Sequence, residues 1–454
     1  SLRQRRGIGH KLQACASGEE LGTSCKLAPA EGELGTSCKL APAEGNWAQA
    51  TSLRQRGIVN WGAFSIHHYF VSLLQNFKLI MKISIMGYHR LAAPCISLNN
   101  TLCDTPTAVG ALAVADKETI EALRFSKKVY ESLDPSVLYA LHTARMAVAK
   151  AGWQQGERFG VNIGSSRGAT SLFELHHSDF LTNGYCQTLA SPTTTLGNVS
   201  SWVAQDLNCG GFSMSHSITC STALHGVANA AAWLQSGMER KFLVGGSEAP
   251  LTPFTIAQVK ALKIYSSLLL PYPCRPLDMN KKQNTMVLGE GAACFGLEAE
   301  AREEALAYIV GIGFATETLT HSVSLSAEGY CLQEAMRRAL ESAGFPRIDV
   351  IITHATGTIK GDIAETNAIG AVFGAEMPLL TNNKWQHGHT YGASGALSLA
   401  MAIEMLQTDS FKGVPYLAAP AQVPEKLEYI MLNAVGFGGN AISIICQAGQ
   451  KVKK

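Results

Sequence analysis

Cys220 occupies the segment MSHSITCSTALHG (residues 214–226), where a β-like run gives way to a helix-like stretch of Ala, Gly and small polar residues. A helix with so little bulk on any face is one that lies buried among other elements. At the start of such a helix, unsatisfied backbone N–H groups and the helix dipole favour a thiolate, so nucleophilic chemistry is open to Cys220. The segment alone fits a buried structural cysteine equally well. His354 opens HATGTIKGDIAE (354–365), directly behind the strand-like DVIIT. That places it at the C-terminal end of a strand, the edge of an α/β sheet where ligands collect. Thr356, Gly357 and Thr358 allow a tight polar loop, and Asp362 and Glu365 either anchor that loop or cap the helix behind it. Alone, the segment also fits a satisfied loop histidine. The stretch NNKWQHGHTYGASG (382–395) carries Lys384, His387 and His389. Its His-x-His spacing invites a metal, but no acidic or cysteine cluster accompanies it, so no metal site is expected. Finally NAVGFGGN (433–440) sets Phe437 beside Gly438 and Gly439. It matches neither GxGxxG nor GxxxxGK(S/T) as a strand-to-helix motif, so nucleotide binding is not expected. His225, little more than one turn beyond Cys220, reads as a packing residue.

The elements around these residues alternate. Residues 136–152 have apolar positions at helical spacing and end in Gly, a helix stop. FGVNIG (159–164) reads as a strand, 223–237 as a helix and KFLVGG (241–246) as the next strand. A charged break at 298–305 separates this from a second run of the same kind: strand 308–314, amphipathic helix 331–344, strand 349–353, helix 396–407, and strands 428–433 and 441–446. Such alternation predicts a layered α/β fold.

Residues 1–80 are of another character. ELGTSCKLAPAEG stands at 20–32 and again, unchanged, at 33–45, and SLRQR occurs twice. Two copies are too few for a solenoid, which needs about three. An extension that is disordered or an expression artefact is expected, with the native protein starting at Met81. Residues 61–81 are fairly apolar but hold His67, His68, Gln75, Asn76 and Lys78, so membrane insertion is not expected. The net charge of +2 over 454 residues gives no field for nucleic acid. The twelve cysteines contain no CxxC pair, which disfavours zinc and redox dithiols.

In order, a Cys at a strand–helix turn, HxTGT…D…E, K…GH…G…G and NxxGFGGN resemble the β-ketoacyl synthase family, the decarboxylating condensing enzymes of fatty acid and polyketide synthesis. GGSEA (245–249), CRPLD (274–278) and GEGA (289–292) add to the resemblance, which runs from about Met81 to Cys446. It implies an α/β thiolase-like fold of two similar halves packed as an α-β-α-β-α sandwich, 81–299 holding Cys220 and 300–449 holding His354 and His389. It implies that Cys220 accepts an acyl group, and that the backbone N–H groups of Cys220 and Phe437 form the oxyanion hole, with Phe437 as a gate. His354 and His389 would stabilise the enolate left when a malonyl thioester loses carbon dioxide. Lys384 would tune His354 and hold Glu365 in a charge network. Glu365, Asp362, Thr356, Thr358, Gly438 and Gly439 would support the site.

The resemblance further implies no metal or organic cofactor. The acyl and malonyl groups would come on the phosphopantetheine of an acyl carrier protein in the cytoplasm, and the chain would work as a homodimer or as a heterodimer with a related synthase or chain-length subunit. Arg124, Lys127 and Lys128 are candidates to receive the acidic carrier, although a solvated helix face explains them equally well. Two departures stand out: Ala355 replaces the Gly usual after the first histidine, and residues 81–103 match poorly. The short chain after Met81 and this altered first segment point to a specialised synthase of the polyketide or aryl-polyene type rather than the main fatty-acid elongator. A thiolase would need a second catalytic cysteine near the C-terminus, where Cys446 lies in a strand-like run. A priming synthase pairs its histidine with Asn. A non-catalytic chain-length partner would lack the nucleophile.

Overall fold

Residues 81–196, 198–318 and 325–451 are described by the computed structural model. The expectations for residues 1–80 lie outside them. The strands of the first half are β1 (Ile83–Ala92), the small hairpin β2 (Ser97–Asn99) and β3 (Thr107–Val109), β4 (Phe159–Gly164), β5 (Gly210–Met214), β6 (Lys241–Glu248) and β7 (Gly291–Glu298). The second half supplies β8 (Ala307–Thr316), β9 (Val350–Ile352), β10 (Leu379–Thr381), β11 (Tyr429–Gly436) and β12 (Asn440–Ala448). The charged break after Glu298 is the connection between β7 and β8.

One hydrogen-bonding pattern occurs twice. In the first half β1, β7 and β6 run antiparallel, and β6, β4 and β5 run parallel. In the second half β8, β12 and β11 run antiparallel, and β11, β9 and β10 run parallel. The strand orders are therefore 1-7-6-4-5 and 8-12-11-9-10. They join into one ten-stranded sheet where Ile83, Ser84 and Ile85 of β1 pair with Ile309, Tyr308 and Ala307 of β8. β4 is buried at every position because both of its faces are covered.

Three apolar cores define the layers. Helices Pro135–Lys150 and Asn198–Leu207 cover one face of the first half-sheet, and helices Tyr330–Ser342 and Ile359–Phe373 one face of the second. Between the half-sheets lie helices Thr222–Gln235 and Ser394–Thr408, packed against strands of both. Their small residues are what this layer requires. At Gly395 a Cβ would lie 2.7 Å from Leu224 Cγ, so the two central helices approach only where a side chain is missing. The Pro135–Lys150 helix starts on Pro at its first turn, with Asp134 accepting from the Ser136 amide at 2.9 Å. Among the described residues no helix is long and apolar enough to cross a membrane.

The region 81–103, which departs from the family pattern, is nevertheless built in: β1 pairs with both β7 and β8 at the centre of the sheet. The basic side chains of 124–128 are not free charge. Arg124 donates to Leu133 O at 2.7 Å and to Glu121, Lys127 reaches Asp206 at 3.2 Å, and Lys128 pairs with Glu131 at 2.7 Å.

Leu399 is fully buried in the central helix layer. Leu399→Ala removes side-chain volume that rigid strands on both sides cannot refill, so a loss of about 3 kcal/mol is expected. Urea unfolding of the variant measures it, and a loss of less than about 1 kcal/mol contradicts this packing.

Candidate active site

β5 ends at Met214, six residues before Cys220, and the approach to the thiol is a turn rather than the continuous strand expected from the sequence. Thr219 takes φ 48°, a left-handed conformation uncommon for a residue with a Cβ. Gly436, at the end of β11, makes room for it, because a Cβ there would overlap Thr219 Oγ1. The helix then begins at Thr222. His216 ties the turn down, its ring nitrogens lying 2.9 Å from Asn162 Oδ1 and 3.0 Å from Thr222 O. His225 bonds the Ser221 carbonyl at 3.1 Å and stays in the packing role expected of it.

His389 comes from the second half of the chain and meets Cys220 directly, with Nε2 3.0 Å from Sγ. The His354 ring stands edge-on to the His389 ring, centroids 5.7 Å apart and planes at 87°. Cys220, His354, His389, Thr356, Thr358, Phe437, Gly438 and Gly439 all line one cavity of about 420 Å³. Cys220 and His389, 169 residues apart in sequence, therefore share one cavity with His354. The two histidines of the His-x-His pair part company: His387 Nδ1 faces the Ala93 carbonyl at 2.6 Å.

Burial governs the charge states. It pushes the Cys220 thiol up to about 12, with Glu248 adding to the rise and Lys384 opposing it. The resting group is thus a thiol, and the thiolate expected from the helix start does not persist against desolvation. Burial and the Lys384 charge hold His389 down to about 3. The same two causes, with a smaller push from His389, keep His354 well below the usual histidine range. Both imidazoles are neutral near pH 7. Lys384 itself is lowered to about 8 by burial, against the pull of Glu365, Cys274, Cys220 and Asp362. Its Nζ lies 3.5 Å from Thr353 O. Among the described residues it makes no direct ion pair with Glu365, so the charge network works at a distance.

Glu365 and Asp362 anchor the loop. The Glu365 carboxylate accepts from the His354 amide at 2.8 Å, the Ala355 amide at 2.7 Å and Asn433 Nδ2 at 3.2 Å. Asp362 accepts from the Gly357 and Leu277 amides, each at 3.1 Å, and pairs with Lys281 at 2.8 Å. Asn382 links the two histidine segments. Its Nδ2 donates to Thr353 O and Ala355 O, and its Oδ1 accepts from the Lys384 amide at 2.7 Å. Ala355, the departure from the family's Gly, packs its methyl with Leu277 and Val414.

Sequence reasoning missed two supports. Glu248, at the end of β6, is fully buried and accepts from Ser165 Oγ, the Ser166 and Arg167 amides and the Gly392 amide at 2.8–3.0 Å. It fixes the turn that follows His389. A lone acid closing the otherwise apolar KFLVGGSE was the signal. Lys281 gave none, since RPLDMNKKQN reads as a solvated loop.

Family models described as Beta-ketoacyl synthase, N-terminal domain, and Beta-ketoacyl synthase, C-terminal domain, match residues 102–303 and 306–414. A 3-oxoacyl-acyl-carrier-protein synthase 2 of Staphylococcus aureus (strain COL) is 30% identical over 352 residues, covering 70% of this chain and 83% of that protein. Two solved structures share the fold. One is a type II polyketide ketosynthase with its acyl-carrier protein and a hexaketide (TM-score 0.69, 19% identity, 81% of this chain and 99% of that one). The other is the ishigamide ketosynthase/chain length factor (TM-score 0.70, 20% identity, 82% and 100%).

Burial raises Glu365 from the ordinary 4.5 to about 7. Between those values the folded protein keeps a proton that the unfolded chain has lost, so this group lowers stability as pH rises through the window. The stability of the wild type relative to Glu365→Gln is therefore expected to shrink between about pH 5 and about pH 7. Denaturant unfolding at several pH values measures it, and a difference that stays constant contradicts the raised value.

Proposed function

Because the chain belongs to the β-ketoacyl synthase family, we propose that it extends acyl thioesters by decarboxylative condensation with a malonyl thioester, using Cys220, His354 and His389. The observation that carries this reading is the 3.0 Å contact of Cys220 with His389, with His354 edge-on beside it in one cavity.

Cys220 attacks the acyl thioester carbonyl as its proton passes to His389 Nε2. The amides of Cys220 and Phe437 receive the oxyanion. The tetrahedral adduct expels the carrier thiolate, which takes the proton back from His389. A malonyl thioester then enters. Its carboxylate leaves as carbon dioxide and the electron pair passes into a thioester enolate, whose oxygen accepts hydrogen bonds from His354 and His389. Among the described residues the His389 Nδ1 has no partner, so neither tautomer is locked and the ring serves as acceptor in the first stage and donor in the second. The enolate carbon attacks the acyl-Cys220 carbonyl, the β-ketoacyl thioester departs, and the Cys220 thiolate takes up a proton. Burial, with the Lys384 charge adding to it, keeps both imidazoles neutral, and Lys384 is not among the residues that line the cavity. Loss of carbon dioxide drives the step, so the reaction asks for no metal or organic cofactor.

The acyl and malonyl groups arrive on a carrier protein's phosphopantetheine, and the chain acts in the cytoplasm beside that carrier. Two features support a second subunit, either a copy or a chain-length partner. β5 is an edge strand with Phe212 partly exposed, and helix Thr170–Asn183 exposes Phe173, Phe180 and Leu181. A purely non-catalytic role fits poorly with a nucleophile held against its histidine.

Incubation with an acyl-carrier thioester is expected to add one acyl mass to Cys220, and Cys220→Ala to abolish it. His354→Ala keeps the adduct but lowers malonyl decarboxylation about 10²–10³-fold. Absence of the adduct, alone or with a partner subunit, refutes the reading. Phe437 is 42% exposed at the cavity wall and is followed by two glycines at φ 91° and 70°, a setting for a gate. Phe437→Ala is expected to let malonyl thioester decarboxylate before Cys220 is acylated. Unchanged loading order and rates refute the gate.

A further inference from the structure

Two hydrogen-bond donors, one on Tyr391 of the Cys220 cavity wall and one on the Arg167 that packs over its ring, have no acceptor among the described residues. The first is the hydroxyl of Tyr391. Its ring lines the Cys220 cavity, 5.4 Å from the His389 ring, and packs in the same apolar cluster as Cys220, Val259 and Met286. The second is Arg167 Nε, which is buried without a partner. The guanidinium carbon of Arg167 lies 5.9 Å from the Tyr391 ring centroid, and only its outer Nη2 is engaged, with Gln258 Oε1 at 2.8 Å. No carboxylate pairs with Arg167 among the described residues.

Both residues are held in place by one carboxylate. Glu248 Oε1 accepts from the Arg167 amide at 3.0 Å, and Glu248 Oε2 accepts from the amide of Gly392, the neighbour of Tyr391, at 2.8 Å. Tyr391 takes φ 42°, an uncommon backbone for a bulky residue, and persists because this network over-determines it. A buried guanidinium nitrogen without a partner is costly unless an oxygen reaches it, and the Tyr391 hydroxyl on the cavity wall is a second donor for the same oxygen. A plain alkyl chain on Cys220 leaves both donors without an acceptor. An acyl group with an oxygen beyond its thioester supplies one.

We propose that Arg167 and Tyr391 make the acyl site select acyl groups that carry an oxygen acceptor, a carboxylate or a carbonyl, beyond the thioester. This rests on the condensing-enzyme reading above. A site built to bond a polar group rejects the analogue that lacks it, because its donors are then left buried and unpaired.

The test offers succinyl-, levulinoyl- and pentanoyl-pantetheine thioesters in competition and quantifies each Cys220 adduct by intact mass. In the wild type the two oxygen-bearing groups are expected to exceed pentanoyl by about tenfold or more. Tyr391→Phe keeps the ring and removes only the hydroxyl, and Arg167→Met removes the cation. Each is expected to bring the ratio toward one, Arg167→Met most for succinyl. Equal or better loading of pentanoyl by the wild type overturns the proposal, as does a preference that survives in both variants. A changed oligomeric state of Arg167→Met with the preference intact also overturns it, since the guanidinium then faces another subunit. Failure of all three thioesters to label Cys220 defeats the condensing reading itself.

Discussion

The contact between Cys220 Sγ and His389 Nε2 joins two buried groups, one from each half of the chain. Burial raises the thiol and lowers the imidazole, so neither carries a charge at rest. A neutral pair can sit in an apolar cluster without a counter-ion, whereas a permanent thiolate there would need one. In the proposed mechanism the cost of making the thiolate is deferred to the moment of attack, when the proton passes across the 3.0 Å Sγ–Nε2 contact. The nearby Lys384 charge, itself buried, biases both imidazoles against taking a proton permanently.

Such a contact is only as good as the backbones that hold it, and buried carboxylates do the holding. Glu248 clamps the segment after His389 to the 165–167 turn, Glu365 gathers the His354 and Ala355 amides, and Asp362 closes the loop onto Leu277 and Lys281. Each accepts several backbone N–H groups in a place where an amide without a partner would be expensive. Loops after parallel strands lack ladder partners for their amides, which is why acids stand there. The same logic explains why Ala355 is tolerated. Its amide is bonded to Glu365, and its methyl fills space against Leu277 and Val414 without any positive φ being required.

Much of this was legible because the signals were local. Phe159–Gly164 is a strand with the expected ends, and Pro135–Lys150 fulfils the helix read from its periodicity. Cys220, His354 and His389 sit beside glycines and small polar residues that a packed strand or helix would not tolerate, so their segments stood out. What stayed hidden depends on partners far away in sequence. That Ile83 pairs with Ile309 cannot be read from either segment, and neither can the Lys281 pairing with Asp362. The state of Cys220 was misjudged for the same reason. A helix start is visible in sequence, but the desolvation that outweighs its dipole comes from residues such as Val109, Ile256 and Leu288, brought in by other elements.

The repeated strand order gives the asymmetry of the site a simple origin. Each half-sheet has a loop cluster at the C-terminal ends of its own parallel strands, so two equivalent clusters were available. The first carries Cys220 at the head of a central helix, and the second carries His354, His389 and the buried Lys384. Because the central helices Thr222–Gln235 and Ser394–Thr408 touch where Gly395 leaves room for Leu224, the two clusters face each other across a fixed distance. A shift of one half against the other would have to break the β1–β8 pairing or open that helix contact. The 3.0 Å separation is therefore set by the packing of the whole sheet, and the loops that carry the chemistry need only be stiff, not long.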